Sequence, residues 1–174
     1  MPLAEVPGAT LPEETGLTYE DNARLKASAA ARAADALALA DDSGLEVDAL
    51  DGAPGPLSAR YGGPGLDDAA RCRLLIEALR DVPDHRRSAR FRCVVALARP
   101  GSDARVVEGV VDGLILRRPR GTNGFGYDPL FYYPPLGRTF AELGEPEKAA
   151  VSHRGRAMAG VRRLLIECYT RISD

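Results

Sequence analysis

Apolar and polar positions along this chain follow two periods, and each period predicts a different kind of element. From Tyr19 to about Ala36 the segment is alanine-rich and free of Gly and Pro, which predicts a helix. Thr18 suits its N-cap and Asp21 its acidic first turn. Leu37 to Ala40 reads as a short buried strand whose C-terminal end delivers Asp41 and Asp42. Between Asp51 and Gly65, Gly and Pro dominate, so this stretch reads as a long loop, and loops of that length inside a domain tend to be functional. A second helix is expected from about Asp67 to Arg80, with Ala70, Leu74, Leu75, Ala78 and Leu79 on its apolar side. Ser88–Ala98 and Arg105–Leu116 are the clearest strands, and Pro100-Gly101-Ser102-Asp103 between them predicts an antiparallel hairpin. A final helix runs from about Ser152 to Ile172, striped by Ala157, Val161, Leu164, Leu165, Cys168 and Ile172 and capped by Ser152. Residues 1–18 read as an irregular lead-in. Helix, strand, helix, hairpin, helix is the order of an α/β or α+β chain with a mixed sheet covered by helices.

Composition narrows the partners. The chain has 174 residues, enough for one domain or two small lobes. Its formal net charge of -2 argues against a DNA or RNA polymer, yet a local positive pocket for a small phosphorylated ligand remains compatible with it. Cys72, Cys93 and Cys168 lack metal-site spacing and read as buried thiols of a reducing compartment. No apolar segment approaches membrane-spanning length, so no membrane partner is expected and the cytoplasm is the default location. Of 23 basic residues only Lys26 and Lys148 are lysine.

Candidate chemistry sits in four places. Asp41-Asp42 at a strand's end suits a hard divalent ion, with one acid on the metal and the other free to take a proton from water; a solvated turn explains the same pair. Glu13 and Glu14 either fold back to that site or are surface charge. In GTNGFGYDPLF, glycines let the backbone approach a flat ligand, Phe125 offers a stacking face and Asp128 an acceptor; the alternative is a tight bend with Phe125 and Tyr127 in the core. Lys148 and Ser152-His153-Arg154 gather donors near a helix start, where an electronegative ligand is favoured over plain solvation. His85 lies in a polar loop, which leaves His153 as the site histidine.

Taken in order, ETGLTYEDNARLKA, ADDSGLEVDALDGAPGPLSARYGG, GFGYDPLF and TFAEL followed by PEKAAVSHRGRA resemble the inosine/xanthosine triphosphate pyrophosphatase family, from about Glu13 to the C-terminus. The resemblance implies a two-lobed α/β fold with a long mixed sheet, helices on its flanks and the substrate cleft between the lobes. It also implies a homodimer and a magnesium-dependent hydrolysis of ITP, dITP or XTP to monophosphate and pyrophosphate. By position, Asp42 matches the general base and a metal ligand, Asp41 and Glu14 the acids around the magnesium, Ser43 a substrate contact and Lys26 a phosphate-binding lysine. Phe125, Gly126, Tyr127, Asp128, Lys148, His153 and Arg154 match the base pocket. Donors from the last three would suit the C6 oxygen of hypoxanthine or xanthine and face adenine's amino group unpaired. Guanine shares that oxygen, so its exclusion would rest on fit around C2. The family's opening strand and T/S-x-N-x-x-K phosphate loop do not occur here, Met1 lying downstream of where they would fall. The single domain expected over 1–174 therefore lacks them, and a catalytically impaired nucleotide-binding dimer is the alternative.

Overall fold

The structure, a computed structural model, describes residues 16–170 and, before them, Pro2, Glu5, Val6, Thr10 and Pro12; the side chains of 167–170 lie outside the description. In chain order the elements are α1 (Tyr19–Ala34), β1 (Ala38–Val47), α2 (Asp68–Ala78), β2 (Ser88–Ala98), β3 (Arg105–Ile115), β4 (Phe131–Tyr133), β5 (Arg138–Thr139), α3 (Glu145–Val151) and α4 (His153–Thr170). The strands hydrogen-bond in the order β1-β2-β3-β4-β5. A mixed sheet was expected; the pairings around β4 are antiparallel, with Leu114 opposite Tyr132 and Tyr132 opposite Thr139.

Contacts divide the chain into two units, one of residues 1–43, 93–109 and 156–174, the other of 44–92 and 110–155. In the first unit, α1 starts where Thr18 Oγ1 accepts the Asp21 N–H at 3.1 Å, the cap expected from sequence. Its small residues Ala23, Ala27 and Ala31 pack with Tyr19 against Val94, Ala96 and Ala98 of β2, joined by Ala38 and Ala40 of β1. The alternate residues of β2, Cys93 and Val95, pack instead with Ala157 and Val161 of α4. The period of two thus assigns α1 to one face of these strands and α4 to the other. The expected stripe of α4 holds through Leu165; the side chains of Cys168 and Ile172 lie outside the described residues.

The second unit is built on an aromatic core. Phe91 lies 4.6 Å from Phe131, and Phe131 lies 4.8 Å from Phe140, between ring centroids. Leu45, Val47, Leu75, Leu79, Val111 and Ile115 complete it. Asp67 caps α2, its Oδ1 accepting the Ala70 N–H at 2.6 Å. At the other end of that helix the buried Arg87 donates to the carbonyls of Leu79 (2.5 Å) and Val82 (3.0 Å), satisfying acceptors a helix terminus leaves open.

Two elements depart from the sequence expectation. β1 does not stop at Ala40: it runs to Val47, and Asp41 and Asp42 lie inside it. Ser43-Gly44 read as a break, but Leu45 and Val47 resume the buried positions of the strand beyond them. α3 was not expected at all. Pro146 sits in its first turn, Glu147 accepts the Gly144 N–H at 3.1 Å, and Ser152 ends it while its Oγ accepts the Gly155 N–H that opens α4. The α3–α4 corner is tight enough that a Cβ on Gly155 would overlap the Ala149 carbonyl oxygen. Because that neighbour is backbone, no rotamer relieves it. Gly155→Ala is expected to lower stability by about 1–3 kcal/mol, read from urea denaturation as a lower midpoint at unchanged slope.

Candidate functional site

The first unit carries an acid held by two donors from one helix. Asn22 and Lys26 are one turn apart on α1, so both project toward the same spot on β1. There Asp42, 7% exposed, accepts from Asn22 Nδ2 at 3.1 Å and from Lys26 Nζ at 2.9 Å. Taking a carboxylate out of water is costly without such partners, and the ammonium supplies the opposite charge. Asn22 was not singled out in the sequence. Its signal was available: it stands four residues before Lys26 in a helix whose opposite spacing is charged.

Asp41 does something different. Its carboxylate accepts from Ser43 Oγ at 3.0 Å and lies 3.7 Å from the Cys93 thiol, on the strand face that packs against α4. Neighbouring strand residues point to opposite faces, so Asp41 and Asp42 turn away from each other. Both acids were expected at a strand's end beside one ion; inside β1 each has partners of its own. Glu13 and Glu14 lie outside the described residues. Among the described residues no three His, Cys, Asp or Glu side chains converge on a point.

The second unit carries the glycine-rich loop. Asp128, 2% exposed, folds back so that Oδ2 accepts the Phe125 N–H at 2.8 Å and also pairs with Lys148. Gly124 has φ +76°, and a Cβ there would overlap that same Oδ2, so only glycine fits. The turn sends its two aromatic residues in opposite directions. Tyr127 is buried and its hydroxyl donates to the Ser58 carbonyl at 2.9 Å; Phe125 is 62% exposed. The sequence alternative of both rings in the core therefore holds for Tyr127 only.

Two cations frame the Phe125 ring: Lys148 Nζ stands 4.6 Å and Arg154 Cζ 5.8 Å from its centroid. Beside them Asn123, Gly124, Phe125, Leu143, Gly144, Glu145 and Lys148 line a cavity of about 430 Å³. His153, at the start of α4, is buried and lies flat on Phe91, 4.7 Å between centroids at 13°. Gly126 is held from α2, its N–H donated to Asp68 Oδ2 at 2.6 Å and its carbonyl accepting from the Cys72 thiol at 3.4 Å. Neither Asp68 nor the Cys72 contact was anticipated; helix periodicity alone does not show which loop a side chain meets. Cys72 and Cys93 are buried thiols outside any disulfide, as expected, and burial pushes the Cys72 thiol up to about 11.

An α/β protein that pairs a buried acid with a lysine in one unit, and sets an exposed aromatic ring under two cations in the other, is built to handle small polar ligands with a flat part. Residues 2–164 match the Ham1 family, and the chain belongs to it. It is 51% identical over 167 residues to a dITP/XTP pyrophosphatase of Desulforamulus reducens, covering 96% of this chain and 83% of that protein. With a dITP/XTP pyrophosphatase of Thermus thermophilus it shares 52% identity over 159 residues, 91% of this chain and 74% of the relative. A HAM1 protein from Coxiella burnetii superposes with a TM-score of 0.87 at 48% identity, over 91% of this chain and 82% of that one. A nucleoside-triphosphatase, dITP/XTP pyrophosphatase, from Mycobacterium abscessus does so with a TM-score of 0.77 at 50% identity, over 91% and 81%.

Burial raises the pKa of Asp128, while the hydrogen bonds from Lys148 and Phe125 and the charges of Lys148 and Arg154 pull it back. A carboxyl raised in the fold stabilises most below its unfolded value, and that contribution is lost as pH rises through the folded value. Lys148→Met removes two of these opposing pulls, its hydrogen bond and its charge. Asp128 should then titrate at higher pH than in the wild type, followed by carboxyl carbon NMR, and the variant should lose more stability than the wild type as pH climbs through that range.

Proposed function

We propose that this chain hydrolyses non-standard purine nucleoside triphosphates, dITP and XTP among them, to the monophosphate and pyrophosphate. The observation that carries the reading is the Lys26–Asp42 pair, at 2.9 Å, which joins two of the motifs that resemble the pyrophosphatases. Asp42 takes the proton of the attacking water, Lys26 turns to the phosphates, and the Ser43 hydroxyl contacts the substrate. Magnesium is commonly held by one or two carboxylates plus phosphate oxygens, a demand that Asp42 and a triphosphate meet together. When bound, it supplies positive charge that neutralises the phosphate chain. Asp42 would hold it; Asp41, which accepts from the Ser43 hydroxyl, and Glu14 join the metal set only on the strength of the resemblance.

The second unit reads the base. Phe125 provides the stacking face, backed by Gly126, Tyr127 and Asp128, and the donors of Lys148, His153 and Arg154 suit an oxygen at purine C6. An amino group there meets donors with donors. Sites that hydrogen-bond one substrate group can reject its replacement by roughly 10⁴-fold. Family membership also supports a homodimer and work on the cytoplasmic nucleotide pool. Among the described residues no helix is long and apolar enough to cross a membrane.

The decisive assay measures pyrophosphate release from dITP. Asp42→Asn should slow it by about 10²-fold or more while the circular dichroism spectrum at the assay temperature stays that of the folded wild type, since an amide cannot take the proton. Chelation should stop the wild type and magnesium restore it. Equal turnover by the variant removes Asp42 from its role, and wild-type binding of dITP without any turnover identifies a nucleotide-binding module instead.

A further inference from the structure

Both backbone polar groups of Gly126 are held by side chains of α2. Asp68, the first residue of that helix, accepts the Gly126 N–H, and Cys72, one turn on, donates to the Gly126 carbonyl. Residues four apart on a helix share a face, so the two form a single clamp. Its grip is placed where the loop has most freedom: Gly126 has φ +60°, a region glycine enters at no steric cost and leaves as easily. The N–H belongs to the peptide joining Phe125 to Gly126, and the carbonyl to the peptide joining Gly126 to Tyr127. Holding both fixes two successive peptide planes, and with them the direction in which Phe125 leaves the backbone.

That direction matters because most of the ring's surface is open. Phe125 is largely exposed, with the cationic ends of Lys148 and Arg154 beside its ring. We propose that Asp68 and Cys72 are positioning residues for purine recognition: by locking the backbone at Gly126 they hold the Phe125 ring in register with the cations that read the base. The thiol acts as a donor here and stays protonated at neutral pH, consistent with its raised titration. Asp67, not Asp68, caps α2, so removing the exposed Asp68 carboxylate spares the cap and costs the helix only a first-turn charge and the pair with Arg71 at 3.9 Å. The role deepens the proposed pyrophosphatase reading and rests on it.

Asp68→Ala and Asp68→Asn separate the clamp from a bulk structural effect, because the amide oxygen of Asn still accepts an N–H. With dITP and dATP as substrates, Asp68→Ala should raise KM for dITP about tenfold with kcat within about twofold, and narrow the preference for dITP over dATP. Asp68→Asn should restore both. Hydrogen exchange at the Gly126 amide should quicken in Asp68→Ala and return toward the wild-type rate in Asp68→Asn. Unchanged KM and exchange in Asp68→Ala, or failure of Asp68→Asn to rescue either, overturns the clamp. If the wild type turns over no dITP, the pyrophosphatase reading falls, while the exchange rates of the two variants still decide whether Asp68 holds the loop.

Discussion

A buried carboxylate beside a lysine organises both units of this protein. Asp42 and Asp128 are the buried aspartates among the described residues, and the chain's two lysines are their partners. The remaining 21 basic residues are arginines, and among the described residues their ion pairs run largely over exposed surface, as between Arg80 and Glu77 or Arg138 and Glu147. Exposed pairs of that kind contribute little. A carboxylate that has left water is another matter: removing its partner costs about 3–5 kcal/mol. Lysine suits the task because its compact ammonium can hand over one contact without surrendering a planar fork of donors, so the same group can hold an acid and meet a ligand.

The strand geometry around Asp42 sets a second constraint. Because β1 continues through Asp41, Asp42 and Ser43, each side chain is committed to one face. Asp42 shares its face with Ala38 and Ala40, small residues that let α1 come close enough for Asn22 and Lys26 to reach it. Larger residues at those positions would lift the helix away. Asp41 is left to order Ser43 on the opposite face. Two adjacent acids are tolerated because the backbone keeps them apart and each has its own partner, which relieves the repulsion their sequence positions suggest.

Much of this was legible in the sequence, and the failures are instructive. Thr18 as a cap, β2 from Ser88 to Ala98 and Ser152 as the start of α4 were readable because capping chemistry and alternation are local. β1 was cut short because Ser-Gly imitates a turn, and only the burial of Leu45 and Val47 carries the strand past it. α3 was missed because seven residues give too little periodicity to outweigh Gly144 and Pro146, which here begin a helix instead of ending one. The lysine at its centre was nevertheless picked out, since rarity in the sequence reports on chemistry where pattern does not. Asn22, Asp68 and the Cys72 contact were invisible for another reason: their partners are 20, 58 and 54 residues away, and no local pattern encodes such a meeting.

The glycine-rich loop shows how those distant contacts make a flexible sequence specific. Gly124 and Gly126 both take positive φ, so the backbone from 124 to 128 has access to many shapes in the unfolded chain. In the fold Asp128 ties the front of the loop through the Phe125 N–H, Tyr127 anchors it to the Ser58 carbonyl, and α2 grips Gly126. The Tyr127 tie satisfies a buried carbonyl, while the ties at Phe125 and Gly126 lie nearer the surface. The ordering cost of the loop is therefore met by satisfied hydrogen bonds and by one buried ring. Phe125 can then remain exposed on a backbone already fixed, which is the combination a stacking surface needs: apolar area left open for a ligand, on a loop ordered before the ligand arrives.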